Sequence, residues 1–240
     1  MFFWITVELF GWGFITLWLK SIAGADKKID FILLLLSALI FWHIFMRVQN
    51  AFSVSFLEDI WARNMINLFA SPLRFSEFVV ALVFYSLVSA GFGLLYVSAL
   101  AFVLYALDIW QLGFYIIPLF LNILLFGWSL GLLTVSLIIR YGPSIEVLAW
   151  ALPYLFFPIS AVYYPLSVFP ELLQKIAFFV PTMHLFEGMR RVLLEGVFPK
   201  ESVAWASVLN LFYFSISALV FYLSIKVAIK KGLIARLVTD

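Results

Sequence analysis

The chain has 240 residues, 65% of them hydrophobic and only 12% charged, with 28 phenylalanines, a formal net charge of +2 and a mean hydropathy of +1.12. A soluble domain is nearer half apolar and a quarter charged, so this composition points to an integral membrane protein with no folded soluble domain of ordinary size. The small net charge gives no reason to expect a nucleic-acid partner, and the absence of cysteine excludes disulfides and thiolate metal sites.

A membrane-crossing helix needs about 20 apolar residues, and six runs qualify as candidates. The first extends from Met1 to about Leu19 and carries Glu8. It lacks the basic start and small-residue cleavage site of a signal peptide. The second runs from Phe31 to about Met46 and contains His43, which reads as a packing or hydrogen-bonding residue rather than a metal ligand. Between the second and third runs lies a segment too polar to cross a bilayer. In residues 56–72, Leu57, Ile60, Trp61, Met65, Leu68 and Phe69 fall on one helical face, while Glu58, Asp59, Arg63, Asn64 and Asn67 take the other. Ser71-Pro72 then ends the helix, because proline lacks the amide hydrogen and disfavours helical geometry before it.

The third run extends from Phe78 to Leu107, the fourth from Leu112 to Ile139, the fifth from Val147 to Val168 and the sixth from Val203 to Ile225. Runs of this length lack the alternation of barrel strands and read as helices. Gly91-x-Gly93 and Gly127-x-x-x-Gly131 offer small faces for close helix packing. After the fifth run, residues 169–196 hold two helices too short to cross. Pro170 suits the first turn of one, Pro181-Thr182 breaks it with Thr182 placed to cap the next, and Gly196 ends the second. The pattern is a re-entrant hairpin, in which Glu187, Arg190, Arg191 and Glu195 stand at ion-pair spacings of three and four. His184 lies at the start of its second helix and reads as another packing residue.

Six spans put both termini on one side. With the termini inside, Arg47, Arg63, Arg74, Arg140, Lys226, Lys230, Lys231 and Arg236 lie in inner segments, against seven basic residues outside. The balance leans toward cytoplasmic termini. No phosphate-binding loop, H-E-x-x-H or G-x-S-x-G motif occurs, so the chain does not read as hydrolysing ATP by that route or as a hydrolase of those classes.

Taken together, these segments resemble the permease subunit of the ABC-2 type transporter family. Residues 58–72, ending Leu68-Phe69-Ala70-Ser71-Pro72, look like its cytoplasmic coupling segment. The run from Pro158 through Tyr163-Tyr164-Pro165 to Pro170-Glu171, followed by Val180-Pro181-Thr182, Glu187-Gly188-Met189-Arg190 and Leu193-Leu194-Glu195-Gly196, looks like its signature around the end of span five. The resemblance covers nearly the whole chain and implies a single transmembrane domain over residues 1–240, with the coupling segment cytoplasmic and the hairpin external. It implies an exporter in the cell membrane, built from two permease subunits (a homodimer here). Two copies of a separate ATP-binding subunit carry the ATP and magnesium, and this chain needs no cofactor or metal.

In that frame Glu58, Asp59, Arg63 and Asn67, with Tyr141 in the short turn after span four, face the ATPase. Leu57, Trp61, Met65 and Leu68 hold the segment to the membrane interface. Phe156, Phe157, Tyr163 and Tyr164 line the substrate path. The family's amphipathic segment before span one has no counterpart ahead of Met1, so that part of the docking surface is expected to be missing. Few charges within the spans favour a hydrophobic or amphipathic substrate, a drug or lipid. Polysaccharide or glycolipid export is a second reading, and an ion-coupled transporter depending on Glu8 is a third, from a different class.

Overall fold

The computed structural model describes residues 2–23, 31–64, 67 and 75–231, and every regular element among them is helical. In chain order these are α1 (Phe2–Ala23), α2 (Phe31–Trp61), α3 (Phe75–Tyr105), α4 (Ile116–Tyr141), α5 (Leu148–Phe156), α6 (Glu171–Ala177), α7 (Pro181–Glu195) and α8 (Lys200–Lys231). Short 3₁₀ turns fill Ile109–Tyr115, Pro143–Ile145, Phe157–Ile159 and Leu166–Val168. Four stretches are long and apolar enough to cross a membrane: Leu33–Trp61, Ser76–Tyr105, Ile109–Tyr141 and Lys200–Lys231. Phe3–Leu19 and Pro143–Ile159 are shorter apolar helical stretches. The chain is thus all-helical and compatible with a membrane protein.

Two differences from the sequence reading have clear causes. The second apolar run does not stop at Met46; α2 continues unbroken to Trp61. Polar side chains just beyond Met46 bond to groups on this helix and on its neighbours. Arg47 Nε donates to Ser89 O at 2.8 Å, and Gln49 Nε2 donates to Ser53 Oγ at 2.9 Å and Thr134 Oγ1 at 3.4 Å. Arg47 therefore belongs to a helix interior, not to a connection. The fifth run is not one helix. α5 has nine residues, about 13.5 Å at 1.5 Å per residue, well short of a hydrocarbon core of about 30 Å. Pro153 lies inside it, Pro158 and Pro165 follow, and Ala161 takes a left-handed φ of 53°. These features turn the chain into the irregular segment that leads to α6.

The chain divides into two compact units. The first comprises Met1–Phe45, Gly91–Ile123 and Phe157–Leu209. In it α1 lies against the C-terminal half of α3: Thr6 and Tyr96 hydroxyls meet at 3.0 Å, and Tyr105 Oη donates to Leu9 O at 3.2 Å. Gly13 is where the Tyr105 ring crosses α1, and no side chain would fit there. α7 is sealed to the 3₁₀ turn by the buried Tyr115, whose hydroxyl donates to Leu185 O at 2.7 Å and whose ring end lies over Gly188.

The second unit comprises Met46–Ala90, Leu124–Phe156 and Asn210–Asp240. Its core joins Phe52, Phe56, Leu57 and Ile60 of α2 to Phe78 and Leu82 of α3, Val135 and Ile138 of α4, and Phe221 of α8. Here the Gly127-x-x-x-Gly131 face does bring backbones together. A Cβ on Gly127 would lie 2.7 Å from Val48 Cγ1, and one on Gly131 2.5 Å from Phe52 Cβ. Gly91 faces open space and plays no such part. Burial sorts the long helices. About 61% of the apolar window of α2 is buried, against 33% in α3 and 22% in α8. The outer faces of α3 and α8 are apolar (Phe84, Phe92 and Val103; Trp205, Phe212 and Tyr222), as a lipid-facing surface requires.

Candidate functional site

The end of α2 is built by a local backbone device. Arg63 adopts a left-handed φ of 54°, its N–H bonds to Ile60 O at 2.9 Å, and the Asn64 N–H reaches back to Asp59 O at 2.9 Å. This is a Schellman closure, with arginine where glycine is usual. Asn64 Nδ2 donates to Asp59 Oδ1 at 3.0 Å and reinforces the turn, and Asn67 Nδ2 meets Asn64 Oδ1 at 3.4 Å. The helix expected to run on to Phe69 thus ends at Trp61; Met65 and Leu68, assigned there as interface anchors, lie outside the described residues. Leu57, also assigned as an anchor, is instead fully buried in the core of the second unit, because residues 56–61 are the last turns of α2.

Trp61 is the residue that organises this end. Its Nε1–H donates to Glu146 Oε2 at 3.1 Å, and its ring lies parallel to Trp150, with centroids 6.3 Å apart and planes 12° from each other. Glu146 and Trp150 belong to the turn and first residues after α4. Gly142 begins that turn at φ 86° and ψ −177°, a region open essentially to glycine alone. The structure therefore brings together two segments separated by about 80 residues in sequence: the end of α2 and the α4–α5 turn. Glu58, Trp61, Arg63, Arg140 and Tyr141 are exposed around them. Arg140 lies over the Tyr141 ring at 6.0 Å. What results is a rigid, polar surface carrying charges of both signs.

In the first unit, the two short helices expected between residues 169 and 196 are present as α6 and α7, and Gly196 closes α7 at φ 68° with its N–H on Val192 O at 3.0 Å. Thr182 does not cap α7; Pro181 occupies the first turn, and the buried Thr182 hydroxyl meets Ser160 Oγ at 2.6 Å. Arg190 forms the expected pair with Glu187, 3.7 Å apart, with side chains only 12% and 21% exposed. Its main task lies elsewhere. The guanidinium donates to Ala161 O and, at 2.6 Å, to Tyr164 O, while Glu187 accepts the Leu166 N–H. The pair thus satisfies backbone groups that the break after α5 leaves free. Burial draws the guanidinium below its ordinary pKa and Glu187 opposes this, so the group remains charged. Arg191 and Glu195 are exposed and enter no ion pair among the described residues. His184 packs beside Trp205 and donates through Nε2 to Phe178 O at 2.7 Å; burial lowers its pKa.

The four aromatic residues assigned to a substrate path belong to both units. Phe156 packs edge-on to Phe126 in the second unit. Phe157 and Tyr163 join Trp12 and Trp42 in the first, with Trp12–Tyr163 centroids 4.5 Å apart and Trp42–Phe157 5.0 Å apart. Tyr164 donates to Pro158 O and packs on Phe169. Each of the four rings packs against at least one other aromatic ring. A pairing invisible in the sequence is Glu8 of α1 with His43 of α2, Oε2 to Nε2 at 3.1 Å. Thirty-five residues separate the two, and only the contact of the two helices joins them. Among the described residues no group of three or more histidine, aspartate or glutamate side chains gathers to hold a metal ion. A comparison with known family models finds no match, and none of the curated proteins matches the chain.

Proposed function

We propose that this chain is the transmembrane permease subunit of an ATP-driven ABC exporter in the cell membrane, moving a hydrophobic or amphipathic substrate such as a drug or lipid outward. The observation that carries the reading is the Trp61–Glu146–Trp150 junction, which joins the end of α2, with its exposed Glu58 and Arg63, to the turn that follows the exposed Tyr141 in the second unit. That is where the resemblance of residues 56–72 expects an ATP-binding subunit to dock, with the Arg140–Glu146 turn as its second contact. ATP and magnesium belong to that partner, present in two copies, and a second permease chain completes the pore as a homodimer. Six helical crossings with both termini cytoplasmic are part of the proposal, with α1 and the residues around α5 as the two beyond the four long helices.

The mechanism follows from rigidity. α2 is unbroken over 31 residues, so closure of the partner subunits against Trp61 displaces the whole helix rather than bending a loop. Nucleotide then biases an equilibrium between two arrangements of the spans. The buried Arg190–Glu187 pair keeps the segment after α5 in one shape while the spans move. Ion-coupled transport is the second reading, and the Glu8–His43 pair is the observation that favours it.

The test is co-purification from native membranes. The intact chain is expected to bring down an ATP-binding subunit with ATPase activity. A Glu58→Lys, Arg63→Glu double variant, altered only at exposed side chains, is expected to lose it while keeping its melting temperature. Failure of the native chain to retain such a subunit overturns the reading.

A further inference from the structure

Glu8 and His43 form a bonded pair whose proton content is set by geometry. His43 Nδ1 lies 2.9 Å from Leu39 O. A carbonyl oxygen only accepts, so Nδ1 carries a hydrogen. The other nitrogen, Nε2, faces Glu8 Oε2 at 3.1 Å. A bare carboxylate opposite a bare imidazole nitrogen is two acceptors in contact, so a hydrogen bond there requires one further proton, on Nε2 or on the carboxyl. In either location the pair is neutral overall. Its surroundings demand this. The exposed side chains of α1 around Glu8 include Phe3, Trp4, Val7, Phe10, Phe14 and Ile15, and a net charge among such side chains in hydrocarbon is costly. The other titratable groups on the elements against α1 are engaged. Tyr96 meets Thr6, Tyr105 donates to Leu9 O, and Tyr163 packs its ring on Trp12. Arg47, four residues further along α2, donates to Ser89 O.

We infer that Glu8 and His43 constitute a proton-binding site holding one shared proton, made or broken by the contact of α1 with α2. Losing that proton leaves a carboxylate, and gaining another leaves an imidazolium, each unpaired in an apolar belt. The site therefore keeps its proton while the helices stay together. Its glutamate side chain is 42% exposed and its histidine side chain 18%. Whether or not an ATP-binding subunit docks at Trp61, the proton count of this pair stands on its own geometry.

The chain has two histidines, which makes the test direct. The full chain is labelled with ¹⁵N-histidine and reconstituted in lipid nanodiscs, with His184→Gln assigning the signals. At pH 7.5 the native His43 Nε2 resonance is expected away from the position of an unprotonated ring nitrogen, because the proton is shared across the pair. In Glu8→Gln, which cannot hold that proton, it is expected to move to that position. A native resonance already at the unprotonated position overturns the proposal, as does a Glu8→Gln spectrum identical to the native one. If Glu8→Gln does not fold, the native spectrum alone decides.

Discussion

Arg190 illustrates how much one buried charge is asked to do. The sequence offers it as half of a surface pair at spacing three, yet its guanidinium is the donor for two carbonyls of the irregular segment that follows α5. Arg190→Ala leaves Glu187 buried without its counter-charge and two carbonyls without a donor, and removing one member of such a pair costs about 3–5 kcal/mol. The expected result is a large fall in melting temperature in detergent, with new protease cleavage between residues 157 and 169. Arg190→Lys recovers only part, because an ammonium cannot span both carbonyls as the planar fork does. His184 gives a second residue-scale prediction. Its folded pKa lies below the ordinary value of about 6.5, so the folded protein binds a proton less readily than the unfolded chain. The stability it contributes is complete above about pH 6.5 and declines as the pH falls below it. His184→Gln is expected to flatten that part of the melting profile measured between pH 7.5 and 5.5.

At the scale of elements, helix contact is decided by where side chains are absent. Gly131 sits against Phe52 Cβ, a position with no flexible end to yield, so Gly131→Ala is expected to destabilise by about 1–3 kcal/mol through overpacking. Gly91 faces open space within α3, and Gly91→Ala is expected to stabilise by about 0.5–1 kcal/mol. Thermal unfolding of the two variants side by side checks both signs. The four long apolar helices were legible because hydropathy reports them directly, and so were the two short helices α6 and α7, punctuated by Pro170, Pro181 and Gly196. The end of α2 was not. Arg47 read as part of a connection because its partner, Ser89, lies on another helix. Likewise the Arg63 turn that ends α2 carries no glycine or proline to announce it, and the amphipathic face drawn through Leu57 and Leu68 crossed a helix end.

At the scale of the molecule, the exposed surface of the second unit around Trp61 carries the functional reading. The sequence supplied both of its parts, residues 56–64 and the turn after Arg140, without the contact that unites them. Trp61 and Glu146 are 85 positions apart, and no local pattern records such a pairing. The measurement that tests the central claim most directly is crosslinking in native membranes from a photoreactive side chain placed at Glu58 and, separately, at Tyr141. The account predicts that both positions capture the same ATP-binding subunit, and that the same group at the exposed Phe212 of α8 captures none. Crosslinks to no such subunit from either position, with the chain shown to be folded, would contradict it.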